Sequence, residues 1–235
     1  MKNEKTGRLA YPTLTVVLAM SADGKIADAE RSPARFGSAN DKAHLERQIA
    51  QADGVLFGAG TLRAYGTTLR VTNPDLEQQR QQQGKFEQPV HIVCTQLAQL
   101  DPDYRFFRQP VPRWLLTTEV GAAAWRDQIG SSFDRILTAG TGSQWDWHQA
   151  MSQFAALGLK EMVVTGGGEL VASLLAAGLV DQIWLTVCPL ILGGSGSPSP
   201  VGGAGFPAEL APRLELLSAQ AIEAEVFLHY RVLRM

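Results

Sequence analysis

Short apolar runs alternate along the chain with stretches in which apolar residues return every third or fourth position. The runs read as strands buried on both faces: Leu14–Met20, Val55–Phe57, Val90–Thr95, Trp114–Thr118, Arg135–Ala139 and Met162–Val164. Between them lie helical stretches. Ser38-Ala-Asn-Asp41 fits a capping box with Asp in place of Glu or Gln. Leu45, Ile49 and Ala52 then mark one face of a helix that ends before Asp53-Gly54. Further helices are predicted over Glu119–Gln128, over Asp146–Leu157 with Trp147, Met151 and Phe154 toward the core, and after Gly168, closed by Gly178. Leu76–Gln88, rich in Gln and charge, reads as a solvated helix or loop. Val180–Leu192 is strand-like as far as Pro189, and Gly193–Gly205 forms a long loop suited to a linker or a flap. Arg213–Leu217 and Glu225–Leu233 alternate as antiparallel strands. The expectation is a polar tail over residues 1–12 and one α/β domain over residues 13–235. Its central sheet is mostly parallel, flanked by helices, with an antiparallel C-terminal edge.

Two places in this pattern carry chemistry. After Met162–Val164 come Thr165 and three glycines, Gly166, Gly167 and Gly168, followed by Glu169 and Leu170 at the start of a helix. After Val55–Phe57 come Gly58 and Gly60, with a helix start at Thr61 and Arg63 in its first turn. Glycines let an anion approach the main chain, and a helix start offers unpaired N–H groups with a partial positive charge. One such turn could equally serve tight strand–helix packing. Two of them could grip a pyrophosphate from both sides, which suits a dinucleotide. Neither is a G-x-G-x-x-G fingerprint or a Walker loop. No acid follows directly where the Val90–Thr95 strand runs out, and with Arg63 nearby this leans toward NADP over NAD.

The first strand empties into Ser21-Ala-Asp23-Gly-Lys25. An exposed turn lysine is the plain reading; the functional one sets Ser21, Asp23 and Lys25 at the mouth of a cleft beyond the strand's carboxyl end. Composition narrows the field little further. The 235 residues carry a formal net charge of −2, which gives no support to nucleic-acid or anionic-membrane partners. Cys94 and Cys188 sit in apolar runs as small core residues, not as a metal or disulfide pair. The four histidines show no ligand spacing, so no metal is expected. The polar start lacks the apolar core of a signal peptide, and no apolar run reaches bilayer length, so a cytoplasmic protein is expected.

Val16-Val-Leu-Ala-Met-Ser-Ala-Asp-Gly-Lys-Ile-Ala27, Asp53-Gly-Val-Leu-Phe-Gly-Ala-Gly-Thr61 and Val164-Thr-Gly-Gly-Gly-Glu-Leu170 together resemble the reductase domain of riboflavin biosynthesis. Gly178-Leu-Val-Asp181 and Pro189-Leu-Ile-Leu-Gly-Gly194 extend the likeness, which runs from about Thr13 to Leu233. The resemblance implies a dihydrofolate-reductase-like fold, a homodimer, and NADPH-dependent reduction of the ribosyl chain of a phosphorylated aminopyrimidine to a ribityl chain. By position, Gly58, Gly60, Thr61 and Leu62 match the first cofactor turn and Thr165 to Leu170 the second. Ser21, Asp23, Gly24 and Lys25 match the substrate and nicotinamide side. The motifs of the family's deaminase domain, H-x-E with P-C-x-x-C, do not occur. Three departures fall on the substrate side. Ala64-Tyr-Gly-Thr67 stands where many members have Asp-Asp-Pro, Thr165 where many have Glu, and the basic Leu-Arg70-Val is shifted by one position.

The implied chemistry is hydride delivery to the sugar C1′ after the ring opens to an imine. Lys25 and Asp23 are expected to stabilise or protonate that imine, and Lys42 or Arg70 to meet the substrate phosphate. Reduction of a pterin is an alternative, and would need Asp41 or Glu46 to anchor the ring. A different heterocycle, or a binding module without catalysis, also remains open.

Overall fold

The computed structural model describes residues 11–126, 132–141 and 145–233. The expected tail lies almost wholly outside them, as does the far end of the helix predicted over Glu119–Gln128. The described part forms one nine-stranded sheet. In chain order its strands are β1 (Thr13–Ser21), β2 (Gly54–Gly58), β3 (Val90–Cys94), β4 (Arg113–Thr117), β5 (Arg135–Thr138), β6 (Glu161–Val164), β7 (Gln182–Cys188), β8 (Arg213–Ile222) and β9 (Glu225–Leu233). The helices are α1 (Ala39–Gln51), α2 (Ala59–Tyr65), α3 (Pro74–Gln82), α4 (Glu119–Trp125), α5 (Trp147–Ala156) and α6 (Gly168–Ala176). Across the sheet the order is β5-β4-β3-β2-β6-β1-β7-β9-β8. The strands from β5 to β7 run parallel, and β9 and β8 add on antiparallel. This is the α/β architecture the alternation of runs predicts.

The parallel strands are apolar on both sides because helices cover both sides. Leu14, Val16, Leu56, Ile92, Leu116 and Val164 point into a core closed by Phe154 of α5 and Leu174 of α6. Their neighbours Val55, Phe57, Val93 and Leu115 point the other way, against Ile49 of α1, Leu62 of α2, and a cluster of Phe106, Trp125 and Phe133. Each such side chain taken out of water contributes about 1.5–3 kcal/mol. Trp147, Met151 and Phe154 all face the core as predicted, and both cysteines are buried and unpaired. On α1 the buried face is wider than its apolar residues suggest, since His44 and Glu46 are buried beside Ile49.

The Gln- and charge-rich stretch departs from its expected solvated character at one residue. Arg80 is only 1% exposed. Its guanidinium donates to the carbonyls of Ala50 and Ala52, both at 2.7 Å, and to those of Phe86 and Glu87. It thereby caps the end of α1 and ties it to the start of β3. A periodic sequence pattern cannot reveal this, because the partners are main-chain carbonyls, two of them 28 to 30 residues away. Replacing Arg80 with Met keeps the stem but strands four carbonyls. We expect Arg80→Met to lower unfolding stability by about 3 kcal/mol, as read by urea denaturation.

Candidate active site

Sheet order brings the two glycine turns together. β2 and β6 are direct neighbours, with Leu56 paired to Val164, so both turns emerge side by side at the strands' carboxyl ends. They are also bonded to one another: the Gly58 N–H donates to the Gly166 carbonyl at 2.9 Å. A Cβ placed on Gly58 would sit 3.7 Å from the Gly167 nitrogen. The hydroxyl of Thr61 lies over the second turn, 3.2 Å from where a Gly166 Cβ would be and 3.5 Å from that of Gly167. α2 begins directly after Gly58 and α6 directly after Gly167.

These two helix starts differ from the others. Ser38, Asn73, Thr118 and Asp146 cap α1, α3, α4 and α5 with a side-chain oxygen. Among the described α-helices, α2 and α6 have no side-chain cap. Both face the same cleft, of about 610 Å³, lined by Gly58, Gly60, Thr61, Gly167, Gly168 and Leu170 among others. Helix starts without a side-chain cap beside a cavity are chemically suited to an anion such as a pyrophosphate.

Around the turns, the expected cofactor residues divide. Gly60, Thr61, Arg63, Gly168 and Glu169 line the cleft, and Gly166 lies beneath it, buried. Arg63 falls in the last turn of α2, since the helix begins earlier than expected, but it stays exposed. Leu62 is a correction: with no exposed surface, it packs into the core beside Phe57, and offers the cleft no side chain. Gly168 also has a different duty from the one expected. A Cβ there would meet the Ser199 carbonyl oxygen at a prohibitive 2.4 Å, so its glycine character serves close packing of the Gly193–Gly205 loop.

That loop is neither a linker nor a free flap. Gly202 N–H donates to Gly168 O, Gly203 N–H to the Glu169 carboxylate, and Ile26 N–H to Pro198 O. The carboxylate of Asp23 accepts from Leu192 N–H at 3.1 Å and Gly193 N–H at 2.7 Å. Pro198, Ser199 and Gly202 thus line the cleft together with Gly60 and Arg63.

Asp23, expected with Lys25 to stabilise or protonate the imine, is engaged with the loop backbone. The Ser21 hydroxyl first, and then the Leu192 and Gly193 amides, pull its carboxyl down to about 2. It is ionised at neutral pH and holds no proton to give. Ser21 is also corrected. It is fully buried, donates to Asp23 and accepts from Lys25 N–H, so it braces the turn from below. Lys25 is half-buried, and its ammonium approaches Ser197 O at 3.4 Å. Lys42 and Arg70 are exposed and not among the cleft-lining residues, nor is Thr165, whose N–H is bonded to Leu56 O.

Several lining residues escaped the sequence reading. Ile26, Ala27, Arg31 and Ala34 come from the segment after β1, Thr95 and Gln96 from the end of β3, and Trp145 and Trp147 from the start of α5. Their signal would have been position after a strand's carboxyl end, which is visible only once the strands are ordered. Among the described residues neither Arg31 nor Arg63 is in an ion pair.

A second polar cluster lies where α1 meets β7 and β9. Glu225, buried, accepts from Ser38 N–H at 2.8 Å and Ser38 O–H at 2.6 Å. Burial, aided by the charge of Glu225, raises the Asp41 carboxyl above its usual range, against a hydrogen bond with Thr186 that lowers it. Glu46 is fully engaged elsewhere, accepting from Thr72 and Asn73 at the start of α3.

Residues 12–228 match the RibD C-terminal domain. The chain belongs to this family. It is similar to the 2,5-diamino-6-ribosylamino-4(3H)-pyrimidinone 5′-phosphate reductase of Archaeoglobus fulgidus, at 27% identity over 83% of this chain and 88% of that one. In fold it is similar to a pyrimidine reductase-like protein of Corynebacterium diphtheriae, with a TM-score of 0.80 at 22% identity over 95% and 93% of the two chains. The riboflavin biosynthesis reductase of Saccharomyces cerevisiae shares the fold at a TM-score of 0.70 and 16% identity, over 97% and 93% of the chains. The RibD C-terminal fold is thus the dihydrofolate-reductase-like sheet expected from the quoted motifs.

The loop contacts generate a test. A Cβ on Gly60 meets nothing within 4 Å, whereas one on Gly168 collides with the loop backbone. Gly60→Ala is expected to leave the Gly193–Gly205 loop protected, and Gly168→Ala to release it. Limited proteolysis should then cut the second variant in this loop at least several times faster than the first.

Proposed function

We propose that this protein is an NADPH-dependent pyrimidine reductase of riboflavin biosynthesis. Its substrate would be 5-amino-6-(5-phosphoribosylamino)uracil or the 2,5-diamino counterpart, reduced at the ribosyl chain to the ribityl form. The observation that carries the reading is the pair of uncapped helix starts, α2 and α6, meeting at bonded glycine turns. The name of the archaeal relative supports the substrate class.

NADPH, when bound, supplies the hydride. The chain's own part is to hold, orient and polarise. The Gly58–Thr61 and Gly166–Leu170 turns take the pyrophosphate, with Arg63 as the cation favouring a 2′-phosphate. The Asp23-braced loop closes one side of the cleft against water. Lys25 puts a positive charge, or a proton, at the opened ribosylimine, and Lys42 or Arg70 meets the substrate phosphate, with Thr165 at the substrate side. Asp23 is a positioning residue in this scheme.

Purified protein should oxidise NADPH in the presence of the phosphoribosylaminopyrimidine, bind NADPH more tightly than NADH, and ignore dihydrofolate. Lys25→Ala should lower kcat by about 100-fold, the scale of acid–base assistance, with little change in NADPH affinity. Gly167→Val should abolish NADPH binding. The residue lines the cleft in an extended conformation with only Thr61 close to its Cβ position, so the added methyls fill the phosphate site while the fold persists. Unchanged affinity in a folded Gly167→Val protein would remove the cofactor assignment. One observation favours a second reading. Asp41, with its raised carboxyl beside Thr186, has the character of a ring-anchoring acid for a pterin or related heterocycle. Turnover of dihydrofolate without turnover of the pyrimidine, lost in Asp41→Asn, would establish it.

We also propose a cytoplasmic homodimer with no nucleic-acid or membrane partner. β8 is one edge of the described sheet, and Leu214, Leu216 and Leu217 on it are exposed, with Val226 and Leu233 beside them. An uncovered strand edge with apolar side chains favours pairing with a second copy. Light scattering at micromolar concentration should report twice the monomer mass, and Leu216→Lys should shift the species toward monomer.

A further inference from the structure

The order of the sheet dictates how a dinucleotide lies in the cleft. The glycine turns follow β2 and β6, near the middle. On one flank, β1 and β7 lead into Ile26, Ala27 and Pro198; on the other, β3 leads into Thr95 and Gln96. A pyrophosphate held at the turns therefore sends one nucleoside toward each flank. With Lys25 assigned to the reacting ring, as proposed above, that ring takes the β1 flank, where Ile26 and Ala27 line the cleft. The second nucleoside then lies toward β3 and the start of α5, where two indoles line the cleft.

Those indoles are stacked, with ring centres 4.9 Å apart and planes inclined by 18°. Trp147 is buried at 6% exposure in the main core, and its Nε1–H donates to the Ser173 hydroxyl of α6 at 2.5 Å. Its plane is thereby fixed. Trp145 is half-buried, rests on that fixed plane, and borders the cleft. A large flat π-surface, held rigid at a cavity wall, is what a purine base stacks on, and little side-chain freedom is left to lose on binding. Hydrophobic packing alone accounts for Trp147 but not for a second indole laid over it at the cavity.

We propose that Trp145 is the stacking platform for the adenine ring of the cofactor, with Trp147 and Ser173 as positioning residues behind it. This rests on the NADPH assignment above. Adenosine 2′,5′-bisphosphate carries the adenine half of the cofactor, and reduced nicotinamide mononucleotide carries the other half. Binding of each is measured by isothermal titration calorimetry, on variants shown to be folded by circular dichroism. Trp145→Ala should weaken adenosine 2′,5′-bisphosphate and NADPH by about ten- to hundredfold, the usual range for loss of one base–aromatic stack. It should leave reduced nicotinamide mononucleotide unchanged, and Trp145→Phe should recover most of the lost affinity. Equal losses for both halves, or unchanged binding of the bisphosphate, would overturn the proposal while NADPH binding by the parent protein still stood. A parent protein that binds neither half would overturn it together with the cofactor assignment.

Discussion

The direct pairing of β2 with β6 is the constraint on which the rest depends. These strands are far apart in the chain, and joining them sets two glycine turns side by side, with Gly58 N–H bonded to Gly166 O. Had another strand come between them, each turn would be an ordinary strand–helix connection about one strand spacing further from its partner, too far for both to hold one pyrophosphate. The pairing also points two helix starts at one cavity. Among the described α-helices these are the starts at which no N-cap side chain supplies an oxygen.

Polar groups around the cleft divide into those that hold the wall and those left to meet ligands. Asp23 and Glu169 are spent on the loop backbone, Ser21 on its own turn, and Glu46 and Arg80 on helix ends. A loop of glycine, serine and proline has little apolar surface to hold it down, so main-chain bonds to fixed carboxylates perform that task instead. The cleft lining includes two arginines, Arg31 and Arg63, and the tryptophan pair, beside neutral polar residues such as Thr95 and Gln96.

Asp41 stands apart from both groups. It is held near Thr186 and a buried, negatively charged neighbour, and the fold keeps a carboxyl there at a cost in desolvation. Glu225 beside it accepts two hydrogen bonds from Ser38. Asp41 sits on the α1 side of β7 and is not among the residues that line the cleft.

Much of this was legible without coordinates. The apolar runs of Leu14–Met20 and Met162–Val164, the Ser38 cap and the two glycine turns are local facts, carried by residues close in sequence, and local physics decides them. The antiparallel end followed from alternation in Glu225–Leu233 in the same way. Strand order did not, because every parallel strand here is apolar on both faces and none advertises its neighbour. From that order come the meeting of the turns, the Trp145 side of the cleft and the pinned loop. Arg80, Ser21, Asp23 and Leu62 share one reason for being misread. A charged or polar residue is read as exposed, and a residue near a motif as part of it, until long-range packing assigns its partners. Sequence by itself determined the elements and the two glycine turns; tertiary structure decided which side chains line the cleft, since burial and hydrogen-bond partners are properties of neighbours distant along the chain.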